Sequence, residues 1–410
     1  RNDYLKTEAF SKYISDETDP PRVRQVRALN KWLATEIENE ATEVRLLTAS
    51  ESEEILPGVL LSDFYATCRS FLSDIIGHVP DYSILYGGFS GGATTSRRRA
   101  FGHPARKFTG KADATKDAFD VFITLTSDDD IWGTQSYEEI RMVDGNVLFY
   151  VPKTSDIDRI AAKEPDINMY LQKGIGNYIR SKLRTVGINL NDQSLNRSLA
   201  QKGSRDGSLA TLDLSSASDS VTLQLCFELF PLAWYELLRA VRSPMTLVEG
   251  EWHQNRMLSS MGNGFTFEVE SLLFYVLARA TAYHTRTRGS ISVYGDDIIC
   301  PSVCAPQLQE VLLFFGFSVN PKKSFWSGPF RESCGGHYYN GVDITPFYVK
   351  APIKTLADLI HLCNQIRRWS YRGWDILSMD LESLWIILSQ YVPSRLRGGY
   401  DTSDKSRLVS

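Results

Sequence analysis

Apolar residues recur at helical spacing through the first part of the chain, the mark of helices with one buried side. Val23, Val26, Leu29 and Trp32-Leu33 predict one such helix. Leu60-Leu61, Phe64, Cys68, Phe71-Leu72 and Ile75-Ile76 predict a second. Their polar faces are expected to be solvated. The pattern breaks at Phe89–Ser96, a small-residue loop that runs into Arg97-Arg98-Arg99. Val147 to Lys153 reads as a strand that Pro152 ends, because proline cannot donate to a ladder. A stretch of alternating charge, Lys153–Lys163, follows. A helix is predicted from about Ile167 to Val186, with Lys173, Arg180 and Arg184 on its basic side, and Asn189–Gln193 is a turn.

The middle of the chain changes period. Leu209–Leu214 is an apolar strand interrupted by one acid, Asp213. Ser215–Ser220 is rich in helix-capping residues. Helices are expected from Val221 to Pro231 and from Ala233 to Val241. The glycine-containing loop Ser259–Gly264 leads into Phe265–Tyr283, which is apolar almost all round and predicts a buried helix. In Ile291–Cys300 two runs rich in β-branched residues flank Gly295-Asp296-Asp297, the pattern of a tight hairpin. Pro306–Phe317 reads as a helix, Val319–Phe325 carries Lys322 and Lys323, and Arg331–Val349 reads as two short strands. Helical spacing returns from Thr355. The last residues are polar and are expected to be disordered. No internal repeat is present.

At 410 residues the chain is long enough for a large core and two or three subdomains. Hydrophobic content of 43% and charged content of 23% are those of a globular protein. No run of about 18 apolar residues suggests a membrane span. No signal peptide is visible, and a start at Arg1 rather than Met suggests a trimmed or incomplete product. Six scattered cysteines without a CxxC pair suit a reducing compartment. Cys300, Cys304, Cys334 and His337 fit no zinc module well, and buried structural thiols are the expectation. The net charge of −4 leaves room for a nucleic-acid channel, because cations cluster locally. One cluster holds Arg97, Arg98, Arg99, Arg106, Lys107 and Lys111; another runs from Lys153 and Arg159 to Arg180 and Arg184.

The turn at Gly295 presents two adjacent carboxylates, which repel unless a cation sits between them. Carboxylates suit hard divalent ions such as Mg²⁺. Alone, this is also an ordinary acidic turn. Together with Asp213 it reads as phosphoryl transfer with two metal ions about 4 Å apart. Lys153 and Arg159 would neutralise developing phosphate charge; otherwise they belong to a solvated charged loop.

At these residues the chain resembles the RNA-dependent RNA polymerases of single-stranded RNA bacteriophages, the Qbeta replicase family. Thr211–Ser220 (TLDLSSASDS) is similar to polymerase motif A, Ser259–Glu268 (SSMGNGFTFE) to motif B, and Tyr294–Asp297 (YGDD) to motif C. Val151–Lys153 through Glu164-Pro165 resembles motif F, and Phe330–Gly335 (FRESCG) stands where the family has a hairpin near the primer terminus. Asn191–Gln193 and Phe89–Thr94 also match family strings. The resemblance runs from about residue 85 to 350.

The resemblance implies an α+β right-hand polymerase: fingers over 1–205, a palm with an antiparallel sheet over 206–345, and a thumb over 346–410. Relatives are longer on both sides, so a shortened thumb is expected. It implies metal ligation by Asp213 and Asp296, with Asp297 supporting, and two Mg²⁺ ions with Mn²⁺ as the alternative. Asp219 and Asn263 would read the ribose 2′-hydroxyl; Asp219 as a mere helix cap is the other reading. Ser260 and Gly262 would shape the nucleotide pocket, or serve only the loop's backbone. Lys322 or Lys323 would protonate pyrophosphate. Arg97, Arg98, Arg99, Lys107 and Arg180 would contact RNA. Implied partners are the RNA template and nascent strand, ribonucleoside triphosphates, host elongation factors Tu and Ts and a ribosomal protein, with primer-independent initiation in the bacterial cytoplasm and no membrane. The rival readings are a reverse transcriptase, which tends to carry a bulky aromatic where this chain has serines and Asp219, and a non-catalytic RNA-binding remnant.

Overall fold

The computed structural model describes residues 2–14, 19–81, 85, 87–126, 137–371 and 379–409. The chain opens with α1 (Asn2–Glu8) and the long α2 (Pro21–Thr48). A small hairpin, β1 (Glu54–Leu56) with β2 (Val59–Leu60), leads into α3 (Leu61–Ile76). Then β3 (Gly110–Ala114), α4 (Lys116–Thr126) and β4 (Tyr137–Met142) follow, with β3 and β4 parallel. An antiparallel hairpin joins β5 (Gly145–Pro152) to β6 (Asp158–Lys163). Next come α5 (Asp166–Thr185), α6 (Ser194–Asp206) and β7 (Leu209–Ser215). After α7 (Leu223–Leu229) and α8 (Leu232–Val241), β8 (Met245–Val248) and β9 (Glu251–Gln254) complete a sheet ordered β6-β5-β8-β9. The helix α9 (Thr266–His284) precedes the hairpin β10 (Ser292–Tyr294) and β11 (Asp297–Pro301).

The central sheet is antiparallel. β11 pairs with both β10 and β7, and β12 (Ser318–Val319), after α10 (Ala305–Phe314), pairs with the other edge of β7. Its order is therefore β10-β11-β7-β12, and β7 lies between the acidic hairpin and the lysine-bearing segment. Ala210, Leu212 and Leu214 anchor β7 in the main core, where α9 is buried from Thr266 to Ala282 apart from Phe267 and Arg279. A second small sheet follows, β13 (Phe330–Ser333), β14 (Gly336–Tyr339) and β15 (Val342–Asp343). The C-terminal part holds α11 (Leu356–Tyr371), α12 (Met379–Ser389) and a parallel pair, β16 (Arg397–Gly399) with β17 (Leu408–Val409). No helix among the described residues is long and apolar enough to cross a membrane.

Three expectations need correction. First, α2 turns a different face inward. Val23 and Val26 are exposed, while Arg24, Thr35, Glu36, Asn39 and Thr42 are buried beside Ala28 and Trp32. The partners of that stripe are polar: Arg24 Nε donates to Asp158 of β6 at 3.0 Å, and Glu36 accepts backbone N–H groups. Second, of the two cations that the alternative reading gave to a solvated loop, Arg159 stands in a strand, β6. Third, the C-terminal tail is ordered. Leu408 is fully buried, and Asn364 receives Val409 N–H while donating to the carbonyls of Asp404 and Arg407, each at 2.8 Å or slightly more. The helix α6 and the strands β3, β4, β8 and β9 lacked a reading from sequence.

α1 docks on the small sheet, with the Tyr4 hydroxyl bonded to His337 Nδ1 and its ring 5.8 Å from that of Phe330. Burial, then the charges of Lys12 and Lys323, pull His337 down to about 4, against a pull upward from Asp343. Glu332 lies 3.4 Å from Nε2, but a neutral ring makes this a polar contact rather than an ion pair. The unfolded chain therefore binds a proton that the folded one refuses between about pH 6.5 and 4. This contribution to stability is complete above that window and is lost as pH falls through it. Urea denaturation should show a loss of about 2 kcal/mol between pH 7 and pH 5 that is absent in His337→Asn. Equal pH slopes in the two proteins would rule it out.

Candidate active site

The hairpin and β7 bring the acids together by register. Tyr294 pairs with Asp297 across the turn, and Asp297 stands directly opposite Asp213. The turn is pressed onto α9. Gly295 has φ +60°, and a Cβ there would lie 2.5 Å from the Phe267 ring and 3.1 Å from Glu270 Oε1. Gly295 N–H donates to Ser271 Oγ at 2.9 Å, and Ser271 donates in turn to the Phe267 carbonyl. From α6, Asn196 accepts from Ser292 Oγ at 2.6 Å and donates to the Asp297 carbonyl at 3.2 Å. Ser333 donates to Asp297 Oδ1 at 3.2 Å. On the other edge, Asn320 Nδ2 donates to Asp213 Oδ2 at 3.0 Å, and Lys323 Nζ is 3.6 Å from Asp213 Oδ1.

Crowding sets the electrostatics. Burial, then the charge of Asp296, pushes Asp297 up to about 7. Asp296 is raised by the protein packed around it and then by Asp213. Glu270, buried and close to the turn, is raised by burial and then by Asp296 and Asp219. Cations from neighbouring segments oppose this charge. Burial lowers Lys153, and Arg159, Lys31 and Lys323 lower it further, while Asp213 pulls the other way. For Lys323, burial acts downward but the charges of Asp213, Glu332 and Asp297 outweigh it and leave it raised. The donor set suits a hard divalent ion. Among the described residues no three His, Cys, Asp or Glu side chains form a closed cage. Mg²⁺ commonly takes one or two carboxylates and fills its remaining positions with water and substrate phosphates.

A second group lies past the end of β7. Asp219 is pushed up to about 6 by burial and then by Glu36. It does not cap the next helix; Thr222 does, accepting from Leu225 N–H at 3.1 Å. Asn263 Oδ1 accepts from Phe265 N–H at 2.9 Å, whereas its Nδ2 is buried with no partner among the described residues. Gly262 has φ +111° and sits against β6, where a Cβ would come within 2.3 Å of the Ala162 carbonyl. The buried Ser260 turns its hydroxyl toward Met257 Sδ at 3.6 Å.

Several basic residues serve the fold instead of an open surface. Lys107 is buried, with Nζ between the carbonyls of Ser90 and Gly92 at 2.8 and 2.7 Å. Arg97 donates to the carbonyls of Thr109 and Lys111. Arg180 ties α5 to α9 through Glu268 and also donates to Leu190 O and Asn191 Oδ1. These three were expected on RNA; internal acceptors take the donors of Lys107 and Arg180 and one terminal nitrogen of Arg97, whose Nε has no hydrogen bond among the described residues. Arg98 and Arg99 remain exposed. Cys300, Cys304 and Cys334 are buried free thiols, raised by burial. Sequence reading missed Asn196, Ser271, Asn320, Ser333 and Glu36. At Asn196 the signal available was its spacing of four from Ala200, with which it shares the buried face of α6.

The family model for RNA replicase, beta-chain, matches residues 1–409. The chain is 44% identical over 347 residues to the RNA-directed RNA polymerase beta chain of Enterobacteria phage fr, covering 83% of this chain and 64% of that one. It is 45% identical over 328 residues to the corresponding chain of Escherichia phage MS2, covering 78% and 60%. Against the corresponding chain of Enterobacteria phage GA, identity is 37% over 416 residues, covering 99% and 77%. The chain thus spans less than two thirds of the length of the fr and MS2 relatives.

Gly295→Ala should lower unfolding free energy by about 2–4 kcal/mol, from the left-handed backbone and the clash with Phe267 together. Urea denaturation reads this directly. A change within about 0.5 kcal/mol, the usual range of a neutral surface substitution, would show that the turn is not pressed on the helix.

Proposed function

The chain belongs to the RNA replicase beta-chain family, and on that premise we propose that it joins ribonucleotides on an RNA template. The observation that carries the reading is the register that sets Asp213 opposite Asp297, with Asp296 at the tip of the turn and Lys323, Lys153 and Arg159 near it. Asp213 and Asp296 would hold two divalent ions, Mg²⁺ or alternatively Mn²⁺, which activate a 3′-hydroxyl and steady the departing pyrophosphate. Asp297, bonded to Ser333, supports the turn from behind. Lys153 and Arg159 counter the negative charge of the triphosphate. Of the two adjacent lysines, Lys323 is the one next to Asp213 and is the better placed proton donor for pyrophosphate. Asp219 and the free Nδ2 of Asn263 read the ribose 2′-hydroxyl, and Gly262 lets the loop approach β6. Ser215, Ser216 and Asp219 carry no bulky aromatic that would exclude the 2′-hydroxyl, which speaks against a reverse transcriptase.

In this reading residues 1–205 act as fingers, 206–345 as the palm and 346–410 as the thumb. RNA template, nascent strand and ribonucleoside triphosphates are the substrates. Elongation factors Tu and Ts and a ribosomal protein are the proposed host partners, in the bacterial cytoplasm.

The test is incorporation of labelled ribonucleotides on a short RNA template with Mg²⁺, for the chain alone and with bacterial extract. Asp296→Asn should lower incorporation by at least about a hundredfold while the protein stays folded. Activity only with extract would assign a need for host factors. A folded protein inactive in both conditions, or an Asp296→Asn variant as active as the parent, would overturn the reading.

A further inference from the structure

The two ribose-reading groups, Asp219 and Asn263, stand on separate segments. Those segments meet in a short backbone ladder. Leu223 N–H donates to the Arg256 carbonyl at 3.1 Å, Leu258 N–H donates to the Val221 carbonyl at 2.7 Å, and Thr222 bridges to Met257. One side chain of α2 grips this ladder from outside. Glu36 is buried and accepts Arg256 N–H at 2.8 Å on Oε2 and Met257 N–H at 3.2 Å on Oε1. Its Oε1 also accepts from Asn39 Nδ2 at 2.9 Å, and the same Asn39 amide donates to the Asp219 carbonyl at 2.8 Å. Asn39 is 2% exposed, so its amide is shielded from solvent. Trp32 and Ala28, packed with Ile160 and Met257, hold α2 in place against β6. Arg24 pins the same helix to Asp158.

We infer that Asn39 and Glu36 are positioning residues for sugar selection: through one amide and one carboxylate, α2 sets where Asp219 stands relative to the loop that carries Asn263. The inference rests on the polymerase reading above and deepens it. Neither residue touches the nucleotide. A carboxylate group that selects a hydroxyl must be held to within a few tenths of an ångström, and the Asp219 backbone lies in a short turn that follows the strained Ser216, at φ 53°. Removing the Asn39 donor frees that turn without removing the groups that bind metal or phosphate.

The experiment is single-nucleotide addition by the full chain, in whichever of the two conditions above supports synthesis. The readout is the ratio of kcat/KM for a ribonucleotide to that for its 2′-deoxy counterpart. Asn39→Ala should lower this ratio about five- to tenfold, the worth of one buried hydrogen bond. Asn39→Leu, which is close in size but has no donor, should do the same and serves if the alanine variant folds poorly. Asp219→Ala should lower the ratio at least as far, and adding Asn39→Ala to it should lower it no further. A role confined to folding would reduce both kcat/KM values equally and leave the ratio unchanged; that result overturns the inference. So does an Asp219→Ala variant with undiminished selectivity, or a double variant in which the two losses add. A parent chain that adds no ribonucleotide at all would sink the polymerase reading instead.

Discussion

Mutual repulsion among Asp213, Asp296 and Asp297 is the constraint around which the centre of the molecule is built. Left to themselves these carboxylates would separate or take up protons. The ladder between β11 and β7 forbids separation, because slipping by one residue would turn the apolar neighbours Ile298 and Leu212 out of the core. The turn cannot back away either, since Gly295 already touches the Phe267 ring of α9. What remains is countercharge. Lys323 supplies part of it at Asp213, on a long side chain that can move when a cation arrives. Fixed acids opposed by a movable base are a sensible arrangement for the polymerase site proposed above.

Rigidity at that site comes from buried polar bonds as much as from apolar packing. Glu164, fully buried at the end of β6, accepts from Asn146, Gln172 and Ser243, and burial raises its affinity for a proton. This fastens β6 where it must support the Ser259–Gly264 loop. Arg24 and Glu36 of α2 fasten the two ends of the same region. Such networks are costly when incomplete and specify one arrangement when satisfied. They explain why a helix with many charged residues is buried along its polar stripe. The valines that would have made an apolar stripe face outward instead.

Much of the local structure was legible in order. The apolar run 265–283 could only be a buried helix, and it is α9. The β-branched runs around Gly295 could only be a hairpin. The strand at 209–214, the helix at 167–186 and the second N-terminal helix follow from period alone. Less legible were α6 and β3, where apolar residues are few, and the short hairpin β8–β9, whose place in the sheet depends on pairing with the distant β5. The C-terminal tail misled because its composition is polar, while its order depends on a single leucine and on Asn364 some forty residues earlier.

By itself, the sequence determined the kinds of element, the family and the acids at the centre, because periodicity and short motifs are local properties of the chain. Tertiary structure alone decided which charges are free to act. Lys107, Arg97 and Arg180 look like neighbours of Arg98 and Arg99 in composition, yet they bond to internal carbonyls and to Glu268. Lys322 and Lys323 are adjacent in sequence, yet one of them lies against Asp213. A donor or a charge has meaning only relative to what stands within about 3–4 Å of it, and that neighbour comes from a distant part of the chain.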